Sequence, residues 1–188
     1  LIFGTWTKNE RYAEQVQSVE DFLRQAQAYC AGVDREPNLR LASACGLFNG
    51  KQRLFVHANL AKDIEQAILL GKKFDLDLVI VGGEESYLVT ELLREYKVPV
   101  ILGPSDVDQP FKTPAALHEA GVQFCLSNEG FWQQRNLPFQ AGTAVAYGLP
   151  YEKAIQALTL DAAIILGVAD RIGSLEVGKD ASLIITAG

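Results

Sequence analysis

Residues 53–83 read RLFVHANLAKDIEQAILLGKKFDLDLVIVGG. A short apolar run, Arg53 to Val56, ends at His57. A helix-forming stretch from Ala61 follows, and a second apolar run, Leu78 to Val81, closes on two glycines. Neither apolar run alternates with polar residues. Continuous apolar strands are those buried on both faces, as in parallel sheets covered by helices. Strand, helix, strand in this order is a βα unit with a right-handed crossover. A histidine at the end of such a strand is where many enzymes hold a metal.

The same rhythm runs on. EESYLVTELLREY reads as a helix, Val98–Leu102 as a strand, and TPAALHEA as a helix with Thr113 as cap and Pro114 at its first position. Val122–Leu126 is a fourth strand, and NLPFQAGTAVAYG and PYEKAIQALTLDAAIILG are helical. Ahead of residue 53, Val16, Val19, Phe22, Leu23, Ala26 and Cys30 fall at helical spacing, with Gly32 as the stop. REPNLRLASACGLFNGKQ reads as one shorter helix closed by the turn pair Asn49-Gly50. Two architectures stay open, a doubly wound sheet and part of a (β/α)8 barrel. No GxGxxG and no P-loop supports nucleotide binding. After residue 166 the rhythm breaks. Two short β-type pieces flank the turn Val177-Gly178-Lys179-Asp180, which predicts a small β element outside the main sheet.

Composition fits this reading. The chain has 188 residues, 48% hydrophobic and 21% charged, enough for one good-sized core. Its net charge of −6 argues against a nucleic-acid partner. No apolar run reaches the roughly 18 residues of a membrane helix, and no signal peptide is visible, so a cytoplasmic location is expected. Cys30, Cys45 and Cys125 match no zinc spacing and no CxxC motif, and are expected to be buried reduced thiols. The chain contains no methionine and starts LIFGTW. It is therefore expected to be a trimmed chain or a piece of a longer one.

The stretch LTLDAAIILGVADRIGSLEVGKDASLII, Leu158 to Ile185, resembles the C-terminal signature of the amidohydrolase superfamily, in particular its imidazolonepropionase-like members. LFVHANLAKDIEQAI and LVIVGGEESYLVTELLREYKVPVILGP resemble the fifth to seventh strand–helix units of that family. The resemblance implies a (β/α)8 barrel with a small β-domain built from both chain ends. A whole barrel takes about 250 residues. The expected fold is therefore α/β, the second half of a barrel over residues 1–166, with residues 167–188 as C-terminal strands of the β-domain. The missing N-terminal half of the barrel is then a partner, together with a small-molecule substrate. Nucleic acid and membrane are not expected partners, and a homo-oligomer stays open.

The resemblance also implies a chemistry. Family members hydrolyse carbon–nitrogen bonds of small, often cyclic, amides, amidines or nucleobases. They use a zinc- or iron-activated water and an Asp base. Ligands come from a His-x-His on strand one, a His on each of strands five and six, and an Asp on strand eight. His57 matches the strand-five ligand. Gly82 stands where the strand-six histidine is expected, and Ser127-Asn128 where strand eight carries its Asp. The metal site is thus expected to be degraded, with His57 as the metal residue present and zinc or iron absent from this chain. Trp132, Gln133, Arg135, Asn136 and Asn128 follow the last barrel strand and are the substrate-binding candidates. No catalytic residue is assigned, and the isolated chain is expected to be inactive. The competing reading makes His57 a hydrogen-bonded strand-end residue. His118 is expected on the surface, Glu84-Glu85 at a charged helix start, and Asp106 and Asp108 in a solvated loop. Two rival functions remain beside the hydrolase: a non-catalytic small-molecule-binding relative of the same fold, and an unrelated open α/β binding module.

Overall fold

The strands form where the apolar runs predict them. β2 (Leu54–Ala58), β3 (Leu78–Gly82), β4 (Val100–Leu102) and β5 (Phe124–Leu126) are joined by β1 (Ile2–Thr5), which the sequence reading did not find. In the computed structural model, residues 2–5, 12–32, 36–103, 111–128 and 130–185 are described. Asp106, Asp108 and Glu129 lie outside them. All four strand pairings are parallel, and the order is β1-β2-β3-β4-β5. A doubly wound sheet reverses its order at a switch point. Here each strand neighbours the next one in the chain, which is the winding of a barrel.

The helices are α1 (Tyr12–Ala31), α2 (Leu39–Ala42), α3 (Cys45–Phe48), α4 (Ala61–Phe74), α5 (Thr90–Glu95), α6 (Thr113–Glu119), α7 (Leu137–Ala146), α8 (Tyr151–Leu158) and α9 (Leu160–Leu166). Strand alternation sends two sets of side chains to opposite faces. Leu54, Val56, Leu78, Ile80, Val100, Leu102, Phe124 and Leu126 join the large core under the helices. Phe55, Val79 and Cys125 join a second cluster around Ile165 of α9. The sheet is therefore covered on both faces, which is why its strands lack polar alternation.

Arg53 anchors α9 beneath the sheet. Its Nη1 donates to the carbonyls of Ile164 (2.9 Å) and Ile165 (2.6 Å), which end that helix, and its Nε donates to Asp77 Oδ2 at 2.8 Å. Carbonyls at a helix C-terminus lack intrahelical partners, and a cation there also meets the favourable end of the dipole. At the other end of α9, Lys153 of α8 holds the buried Asp161 of its first turn at 2.6 Å.

Several expectations need correction. The stretch 151–166 is two helices, broken at Thr159 (φ −128, ψ −90). Thr159 Oγ1 donates to Ile155 O at 2.8 Å, which closes the last turn of α8. Residues 39–48 also form two short helices rather than one. Thr113 is not a cap: Lys112 holds that position, and Thr113 is the first helical residue, 1% exposed. Cys30 and Cys45 are not reduced thiols. The α2–α3 segment folds back on α1, brings their Cα atoms to 5.5 Å and closes a disulfide. Cys125 is free and buried, as expected. Among the described residues, 171–185 contain no strand. The turn at Val177-Gly178 is present, but Gly173–Val177 and Leu183–Ile185 are irregular, and Thr186 lies outside the described residues. Arg171 and Asp180 tie that segment together at 2.7 Å. No helix among the described residues is long and apolar enough to cross a membrane.

Candidate functional site

In parallel barrels the chemistry sits where the strands end. Here those ends bring together His57, Gly82, Leu102-Gly103 and Ser127-Asn128. His57 is two residues after Phe55 and so shares its face, the one packed on Ile165 rather than on the outer helices. It is half-buried and pairs across the ladder with Val81 of β3 and Thr5 of β1.

Gly82 has φ +99, a region L side chains rarely adopt. A Cβ placed on it would stand 2.0 Å from Asn59 Oδ1. The Asn59 side chain thus fills the space a residue-82 side chain would need. Its Nδ2 donates to Glu84 Oε1 at 3.3 Å. Glu85 has a different role. Its Oε2 accepts from the amide of Ala61 at 2.8 Å, satisfying an end amide of α4. The Glu84-Glu85 pair was expected at a charged helix start; Glu85 stands at the N-cap of a 3-10 turn, Ser86–Leu88, and the α-helix α5 begins at Thr90.

Asn128 is held at both ends of its amide. Its Nδ2 donates to Gln133 O (3.0 Å), and its Oδ1 accepts from Gln140 Nε2 (2.9 Å). Asn136 Nδ2 donates to Gln133 Oε1 at 2.6 Å. Three substrate-binding candidates therefore form one hydrogen-bonded cluster, Asn128 just after β5 and Gln133 and Asn136 on the 3-10 turn Phe131–Asn136. Trp132, 75% exposed, and Arg135 stand on the same turn and face solvent. Gln140, which the sequence reading did not single out, completes the cluster. It is the sole side-chain amide in the α7 sequence LPFQAGTAVA, where Thr143 is the one other polar side chain, and that contrast was the available signal.

Cys125 lies below this mouth. Burial, aided by the charge of Asp161, pushes its thiol up to about 12. Such a thiol stays protonated and is a poor nucleophile. His118 is exposed on α6, as expected. Among the described residues no three His, Cys, Asp or Glu side chains gather as metal ligands. The donors at the strand ends do not fit the metal set the resemblance implies: His57 offers one nitrogen, Gly82 none, and the Asn128 amide is already committed.

Residues 89–188, more than half of the chain, match the family model described as the amidohydrolase family. The chain belongs to the amidohydrolase family. It is 30% identical over 151 residues to an imidazolonepropionase of Thermoplasma volcanium, an alignment that takes in 79% of this chain and 32% of that protein. An amidohydrolase structure from Thermotoga maritima superposes with a TM-score of 0.84 at 28% identity, covering 95% of this chain and 55% of the other. A Xaa-Pro dipeptidase structure with methionine bound in its active site shares the fold, with a TM-score of 0.57 at 21% identity, over 81% of this chain and 44% of that one. This amidohydrolase chain thus spans about a third of the curated relative and just over half of the Thermotoga structure.

Proposed function

We propose that the chain forms the later strand–helix units of an imidazolonepropionase-related hydrolase acting on non-peptide carbon–nitrogen bonds of a small, often cyclic, molecule. The supporting observation is the sequential parallel sheet that carries His57 on its inner face at the end of β2, in a chain with family membership. In this reading residues 1–166 are part of the barrel, and residues 167–188 belong to a small β-domain shared with the front half. His57 is the retained metal residue. Asn128, Trp132, Gln133, Arg135 and Asn136 face the substrate.

The metal site is degraded in this reading. Zinc generally needs three protein ligands even in an open catalytic site. The test is elemental analysis of the protein as encoded in full, with hydrolysis assays on cyclic amides, beside the same measurements on residues 1–188 alone. Residues 1–188 are expected to hold no stoichiometric zinc and to hydrolyse nothing. Metal bound by His57 together with a neighbouring carboxylate would overturn the degraded site. A second reading, a small-molecule-binding relative without catalysis, draws support from the committed amide of Asn128 and the absent side chain at Gly82. Saturable binding of a cyclic amide to the full protein, without turnover at any metal loading, would favour it.

A further inference from the structure

The Cys30–Cys45 disulfide ties down a segment that the core does not hold. α1 and α3 are each set in that core, α1 by Leu23 and Ala26, and α3 by Leu47 with Ala44 just ahead of it. α2 lies between them in the chain and has no buried residue. Its Leu39 is 88% exposed, and Leu41 is only partly buried against the core. α2 meets α1 through polar contacts. The Asn38 amide donates to the Tyr29 hydroxyl at 3.2 Å, and Asn38 Oδ1 accepts from Leu41 N at 3.1 Å as the helix cap. The Arg40 guanidinium sits 5.0 Å from the centre of the Phe22 ring. Both hydrogen bonds are exposed, and segments held by exposed hydrogen bonds and few buried apolar contacts open locally while the core stays closed.

The bridge is also within reach of a reductant. Both cysteines are half-buried and line a pocket of about 460 Å³, together with Gln27, Ala31, Phe48 and Asn49. Among the described residues that line it none is charged, so none of them repels an incoming thiolate. The two sulfurs lie 4.0 Å (Cys30) and 3.8 Å (Cys45) from the carbonyl oxygen of Leu41. Thiols formed there have an acceptor where they stand, so the reduced pair is accommodated as well as the oxidised one. Cys125 is the contrast: it is 3% exposed, in the second core cluster, and no reagent reaches it while the sheet is closed. Disulfides that an attacking thiolate can reach are the labile and regulatory ones.

We propose that Cys30–Cys45 is a redox latch on the folded protein: a dithiol reductant opens it and lets α2 leave α1, while α1 and α3 stay in the core. A thiolate of the dithiol attacks one sulfur of the bridge, the S–S bond breaks, and the other cysteine leaves as a thiolate and takes up a proton. The second thiolate of the reductant then attacks the mixed disulfide and releases the first cysteine, which is protonated in turn. Two electrons pass to the bridge, and the dithiol leaves as a disulfide. The test is hydrogen exchange read by mass, on the protein as encoded in full, with and without dithiothreitol, beside iodoacetamide trapping of thiols without denaturant. Cys30 and Cys45 should both be trapped after reduction and Cys125 should not. The amides of residues 39–43 should exchange at least tenfold faster in the reduced protein, while those of β2, β3 and β4 stay protected over the same minutes. Removing the dithiol and adding a disulfide oxidant should restore the slow exchange. Cys30→Ser should show the fast exchange without any reductant; if that variant does not fold, the trapping and exchange of the parent decide. Reduction that needs urea, equal exchange of residues 39–43 in both forms, or loss of protection in α2 and the strands together would overturn the latch.

Discussion

Replacing Gly82 by alanine tests the geometry at the end of β3. Two costs arise in the folded state. The backbone at φ +99 must accept a Cβ, and residues held in sparsely populated backbone regions cost about 1–3 kcal/mol each. The new Cβ also meets Asn59 Oδ1 at 2.0 Å, so the Asn59 side chain must swing away and give up its bond to Glu84. That bond is long, at 3.3 Å, and partly exposed, so its loss adds about 0.5–1 kcal/mol. Gly82→Ala should therefore destabilise by about 1.5–4 kcal/mol. In an Asn59→Ala background the space is open, since the next neighbour is the Ala58 carbonyl oxygen at an ordinary 3.6 Å. Only the backbone cost then remains, and the two substitutions should couple by about 1 kcal/mol. Urea unfolding of the parent, both single variants and the double variant gives the four numbers. A Gly82→Ala cost under about 0.5 kcal/mol would show that the backbone is not held at positive φ. A coupling of zero would show that Asn59 does not occupy that space. The result bears on the metal. Restoring a histidine at Gly82 together with Asn128→Asp should raise zinc affinity in a chain that includes the front half, and the gain should be larger once Asn59 is shortened to alanine.

Reducing the Cys30–Cys45 disulfide, which closes a separation of 15 residues, should lower stability by about 3 kcal/mol; an unfolding midpoint unchanged by dithiothreitol would refute the pairing. Arg53→Gln should cost about 2 kcal/mol, because a charged group then leaves the carbonyls of Ile164 and Ile165, and hydrogen exchange should quicken first in α9; uniform exchange across the chain would contradict the anchor. The raised thiol of Cys125 has a definite sign. The folded state holds that proton more tightly than the unfolded chain, so its share of stability is intact below pH about 9 and is lost as pH rises towards about 12. Cys125→Ala should remove that alkaline loss, and the parent thiol should resist iodoacetamide at pH 8 until the chain unfolds.

How much of this was legible depended on range. The four strands were readable because burial on both faces leaves no room for polar residues, whatever covers each face. That the inner face of Phe55, Val79 and Cys125 is covered by Ile165, more than a hundred residues from Phe55, was not readable. β1 was missed because Ile2–Thr5 is four residues with a glycine inside and only pairing with β2 defines it. The break at Thr159 was hidden because apolar spacing continues through it. At the candidate site, His57 and the Asn128–Gln133–Asn136 group could be placed from strand ends. The plugging of Gly82 by Asn59 could not, since it is a matter of Cβ space between two strand ends.

The tail carries the sharpest conflict between local sequence and local structure. Val177, Ile184 and Ile185 are β-formers in a stretch with clear turn residues, yet all three are almost fully exposed and form no strand. Strand preference is a preference for a pleated, half-buried surface rather than for a backbone shape, so it is silent without a neighbour. Isolated hairpins are marginal in water for the same reason. Covering Ile184 and Ile185 would contribute about 1.5–3 kcal/mol each, enough to order a short strand once a partner edge is supplied. The proposed β-domain supplies that edge from the front of the whole protein. The amides of residues 182–185 should then exchange slowly in the protein as encoded in full and rapidly in residues 1–188 alone. Rapid exchange in both would remove the tail from any sheet and leave the exposed isoleucines without a folded-state role.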